Sequence, residues 1–104
     1  MAQDLDVVRH ELVSRIAALD ACAAHARMAE LAAGVDEIRA IAFAAGLIPA
    51  VTVVHFIAAA LARGARGPTL HSGFELLQDA VAVEGCDPRA CDAFAAVCAI
   101  RLAA

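Results

Sequence analysis

The sequence predicts an all-α fold: an antiparallel helical bundle of four principal helices plus one short helix. Three observations carry this. Alanine, the residue that costs least in a helix, makes up more than a quarter of the 104 residues. Large apolar side chains recur at steps of three and four, and no run alternates with period two. Glycine and proline punctuate the chain at a few points, leaving helix-sized pieces joined by short connections. A chain of this length is expected to form a single domain over residues 1–104.

The first predicted helix runs from about Asp4 to Ala33. Leu5, Val8, Leu12, Ile16 and Leu19 form its core stripe, continued through Ala23, Ala26 and Leu31. Glu11 and Arg15 make an i,i+4 pair on its wet side. At 1.5 Å per residue it would span about 45 Å, longer than a four-turn neighbour covers, so it either kinks near Ala23 or overhangs. Gly34 reads as its C-terminal stop. The second helix is short, from Asp36 as N-cap to Ala45, with Ile38, Ile41, Ala42 and Ala45 inward. Gly46 ends it, and Leu47 is placed for the apolar contact of a Schellman cap.

The third helix opens at Pro49 and ends near Gly64. It belongs to an uncharged stretch, Ala40 to Ala62, long enough on paper to cross a bilayer. Gly46, Pro49 and His55 weigh against a membrane core. So does a polar side of Thr52, His55, Ala59 and Arg63, opposite Val51, Val54, Ile57 and Leu61 with Val53 at the edge. A buried central helix is the better reading. The fourth helix starts at Thr69 or Ser72, the latter making a capping-box pattern with Glu75, and ends near Glu84-Gly85. Its stripe is Leu70, Phe74, Leu77 and Val81. Asp87-Pro88 opens the fifth, which runs to about Leu102 on a stripe of Cys91, Phe94, Cys98 and Leu102.

Several chemistries are excluded by the inventory. There is no Lys, so Schiff-base chemistry and a P-loop are out, and Asn, Trp and Tyr are also missing. The net charge of −4 and the lack of a basic block give nucleic acid no electrostatic footprint. A helix-turn-helix reading of the second and third helices, with Ala42 and Gly46 four apart, fails likewise. Its recognition helix, Pro49 to Ala62, has no Arg, Lys, Asn or Gln with which to read bases. Asp4, Asp6 and Glu11 stand where the apolar part of a signal peptide would begin, and four cysteines in an alanine-rich helical chain read as reduced, small apolar side chains. A cytoplasmic location is expected.

Two candidate sites remain. His55 sits mid-helix on the polar side of the third helix, with small side chains one turn on. His55-Phe56-Ile57-Ala58-Ala59 resembles the His-x-x-Lys-Gly segment of histidine phosphotransfer domains, which are also helical bundles of about this size. The resemblance covers five residues and the fold class, and it implies His55 as phosphoacceptor. Ala58 stands where that family carries its basic residue and Ala59 where it carries its glycine. The bland alternative is a histidine bonded to a neighbouring helix. The second candidate is the connection Arg63 to Ser72. Arg63, Arg66, Thr69, His71 and Ser72 could hold a small anion at a helix N-terminus, where free N–H groups and the helix dipole favour negative charge. Its bland alternative is an ordinary helix connection. Cys86, Cys91 and Cys98 with His71 lack the tight Cys-x2-Cys spacing of structural zinc, and nothing favours a catalytic Cys–His pair. No metal or other cofactor is expected.

The apolar fraction, 62 %, is high for a chain whose surface is large for its volume. Val97 and Ile100, and Phe56 and Ile48, fall away from the main stripes. A partner that covers them, most simply a second copy in a twofold dimer, is expected. The sequence therefore predicts a small non-enzymatic protein–protein interaction module, with a phosphotransfer module centred on His55 as the alternative.

Overall fold

Asp4 opens the first helix by accepting the amide of Asp6 on its carboxylate at 2.9 Å, in a computed structural model that describes residues 4–83 and 88–102. Five helices follow among the described residues: α1 (Leu5–Cys22), α2 (Met28–Ala44), α3 (Ile48–Ala62), α4 (Pro68–Ala82) and α5 (Pro88–Arg101). They are of similar length, 14 to 18 residues, so the expected division into four principal helices and a short one does not hold. The described residues contain no strand.

The largest correction concerns the first two helices. The chain leaves the helix after Cys22 and re-enters at Met28, and α2 then runs unbroken through Gly34 and Asp36. A 45 Å rod would exceed the molecule's longest dimension, 38 Å. Gly34 is no helix stop. A β-carbon at that position would lie 2.5 Å from Cδ2 of Leu19, so glycine is there to let α1 lie close against α2. Asp36 is no cap either; it pairs with Arg39 at 2.9 Å on the helix surface. The core stripe of α2 is Leu31, Val35, Ile38 and Ala42, a +4, +3, +4 repeat that passes straight across Gly34.

The helix ends rest on glycine where sequence placed it. Gly46 has φ +74° and donates to Phe43, while the Leu47 amide donates to Ala42, which is the paired bonding of a Schellman cap. Gly64, at φ +88°, repeats this at the end of α3, with bonds from Gly64 to Leu61 and from Ala65 to Ala60. α4 begins earlier than expected, at Pro68, so Thr69 and Ser72 lie inside it. It ends at Ala82, and the expected end at Glu84-Gly85 and the Asp87 cap of α5 lie outside the described residues.

Packing runs α1 on α2, α2 on α3, α3 on α4 and α4 back on α1, with α5 laid across α3 and α4. Arg9 reaches Val81, Gln78 reaches Val13 and His71 reaches Asp20, so α4 descends as α1 climbs. Arg15 bonds both its own-helix partner Glu11, at 3.1 Å, and Glu37 of α2, at 3.0 Å.

The buried residues form one cluster fed by all the helices, and among the described residues it contains no polar or charged side chain. Phe74, Leu12, Ile16, Leu31, Ile57 and Leu77 are among its largest members. The buried side of α3 is turned roughly 60° from the expected one, counted at 100° per residue. Ala50, Val53 and Ala60 are fully buried, whereas Val51 is half-buried; Ile48 is exposed, as its place off the main stripe implies. α3 touches three helices, α2, α4 and α5. Gly73 allows a close approach: a β-carbon there would meet Leu102 at 3.0 Å and Ile57 at 3.1 Å. No helix among the described residues is long and apolar enough to cross a membrane.

Candidate functional site

The Arg63–Ser72 segment turns its cations outward to three different places. Arg63 donates from Nη2 to the Leu102 carbonyl at 3.0 Å, at the end of α5. Arg66 donates from Nη1 to the carbonyls of Ala23, at 3.1 Å, and Ala26, at 3.2 Å, in the connection between α1 and α2. Arg63, and Arg66 at Ala23, thus serve carbonyls that a helix C-terminus leaves unpaired, where the dipole also favours a cation. His71 places Nδ1 2.9 and 2.7 Å from the two oxygens of Asp20 and Nε2 2.8 Å from Glu75. Thr69 and Ser72 are half-buried within α4. The five residues named for an anion are therefore not gathered round one point, and two carboxylates stand at His71.

Those carboxylates raise the His71 pKa above its ordinary 6.5. The hydrogen bond to Asp20 contributes most and the Asp20 charge next; desolvation opposes them, and Glu75 adds to the rise.

His55 lies exposed on α3, with its ring edge-on to that of Phe56 at 6.2 Å between centroids. Thr52, one turn earlier, spends its hydroxyl on the Ile48 carbonyl at 3.2 Å. Ala58 and Ala62 are exposed on the adjoining side of the same helix. They help to form a feature that sequence reasoning missed, an apolar groove between α2 and α3 of about 340 Å³. Met28, Ala32 and Val35 line it from α2, and Val54, Ala58 and Leu61 from α3. Asp36 and Arg39, paired with each other, are its charged members. Counted at 100° per residue, His55 falls just beside this arc of α3. The groove exists because Ala32, Ala58 and Ala62 are too short to fill the space between two helices. Alanines spaced four apart next to an apolar stripe were the available signal.

The cysteines are scattered. Cys22 is exposed, Cys91 half-buried and Cys98 buried, while Cys86 lies outside the described residues. Burial pushes the Cys98 thiol up, against a smaller downward pull from Arg101. No group of three His, Cys, Asp or Glu suited to a metal ion occurs among the described residues.

No family model matches the chain, and neither the curated proteins nor the solved structures give a match.

Proposed function

We propose that this protein is a non-enzymatic interaction module that works by protein–protein contact, as a homodimer formed through the α2–α3 groove. The groove carries the reading. It is wide, mostly apolar, and bordered by one acid and one base at i and i+3, Asp36 and Arg39. Such a rim is complementary to itself under a twofold axis, Asp36 of one copy meeting Arg39 of the other. Burying the groove would remove Met28, 38 % exposed, and the alanine stripe from water. The reading takes the helices as an antiparallel bundle, needs no cofactor and no nucleic acid, and places the protein in the cytoplasm. The test is light scattering behind size exclusion at micromolar concentration. A dimer that becomes a monomer on Ala58→Asp, with unchanged far-UV circular dichroism, supports it. A monomer throughout the micromolar range refutes it.

The second reading, a phosphoacceptor at His55, is favoured by that side chain's exposure beside the small residues Ala58 and Ala59. Phosphoramidate treatment followed by mass spectrometry tests it. An acid-labile 80 Da adduct (about one phosphoryl group) on His55 in preference to the other histidines supports the reading, and indiscriminate labelling removes it.

A further inference from the structure

We propose that Asp20, His71 and Glu75 form a proton-controlled latch that fastens the last turn of α1, where the chain leaves for α2, to α4. Both ring nitrogens of His71 face carboxylate oxygens, Nδ1 towards Asp20 of α1 and Nε2 towards Glu75 of α4, all at 2.7 to 2.9 Å. A neutral imidazole has one N–H and one lone pair. It can donate to one of these carboxylates only, and its bare nitrogen would then oppose the other. Only the imidazolium satisfies the arrangement. The His71 side chain is 57 % exposed, so its second proton exchanges directly with bulk water.

The groups that act on His71 are Asp20 across the helix pair and Glu75 on its own helix; none on α3 or α5 is among them. Arg66 holds the neighbouring Ala23 and Ala26 carbonyls. Arg66 thus holds the connection itself, residues 23 to 27, and His71 holds Asp20 in the last turn of α1, which leads into it. This connection leads straight into Met28, the first residue of α2 and an end wall of the groove. The latch does not depend on what the groove receives.

The direction with pH follows from the raised pKa of His71. Its contribution is fully present below the ordinary histidine value of 6.5 and is lost as pH rises through the raised value. The pair is solvent-exposed, so the effect is local: about a two- to fivefold change in how often the connection opens.

The test is NMR on the intact chain. The His71 ring is titrated in wild type and in Asp20→Asn. Amide protection at His25 and Ala26, both bonded to the Cys22 carbonyl, is followed against pH after correction for intrinsic exchange. The latch requires His71 to titrate above 6.5 and Asp20→Asn to lower that value. It also requires wild-type protection to fall two- to fivefold across the titration, and not in His71→Gln. His71 titrating at or below 6.5, or an equal fall in His71→Gln, overturns the proposal.

Discussion

Replacing Gly34 by alanine distinguishes a helix stop from a close helix contact. Gly34 lies inside α2, and a methyl group there would sit 2.5 Å from Cδ2 and 3.0 Å from Cδ1 of Leu19. Methyl carbons settle at about 3.5 to 4.0 Å, so Leu19 must move by about 1 Å or change rotamer. Overpacking of this kind costs about 1 to 3 kcal/mol. Against it, alanine is better than glycine in a helix interior by about 1 kcal/mol. Gly34→Ala should therefore lower stability by about 1 kcal/mol in the native background. In a Leu19→Ala background the obstructing methyls are gone, and the same substitution should raise stability by about 1 kcal/mol. The two backgrounds differ by about 2 kcal/mol, well above the few tenths expected of independent sites. Urea unfolding of the four variants, followed by far-UV circular dichroism, measures all the terms, since the chain has no Trp or Tyr for fluorescence. Loss of stability in both backgrounds would refute the reasoning, because that is what a left-handed glycine beyond a helix end produces. Additivity would refute it too.

Other consequences can be checked in the same way. Arg66→Ala removes two bonds to the Ala23 and Ala26 carbonyls and should cost about 1 kcal/mol, a fall of roughly 4 to 8 °C in Tm by thermal circular dichroism. Gly46→Ala should cost about 1 to 2 kcal/mol from backbone strain alone, since φ is +74° and nothing lies within 4 Å of the added carbon; Gly46→Asn should cost less than half of that by urea unfolding. Under native conditions iodoacetamide should label exposed Cys22 and spare buried Cys98, which becomes reactive only in denaturant; peptide mapping by mass spectrometry reports both.

Much of the helical pattern was legible because large side chains mark it. Val8, Leu12 and Ile16 on α1, and Leu70, Phe74, Leu77 and Val81 on α4, are buried as their spacing predicts. The glycines at 46 and 64 also act as expected, because a left-handed residue ending a helix is a local matter. The break between Cys22 and Met28 was legible only as a kink near Ala23, one of two alternatives inferred from the length of the predicted helix and not from any residue at the break. Residues 23 to 27 are Ala, Ala, His, Ala and Arg, with no glycine or proline to force an exit. What secures it is distant in sequence: Arg66 on the freed carbonyls and His71 on Asp20.

The candidate sites divide similarly. His55 was placed on the polar side of α3 by counting residues; that its side chain is exposed came from the tertiary structure. The Arg63–Ser72 connection was singled out for its charge, and its charges are in use, but on separate partners: Arg63 at the end of α5, Arg66 in the α1–α2 connection, and His71 on Asp20 of α1 and Glu75 of its own helix. Composition and periodicity by themselves determined that the chain is helical and placed most of the large side chains that enter the core, since both follow from local propensity and apolar burial. Leu5, placed on the stripe of α1, is exposed, and Leu76, not on the stripe of α4, is buried. Only the tertiary structure decided where α1 ends, why glycine stands inside α2, what the arginines hold and where the groove lies. Those depend on gaps and unpaired carbonyls, which do not exist until one helix is laid against another.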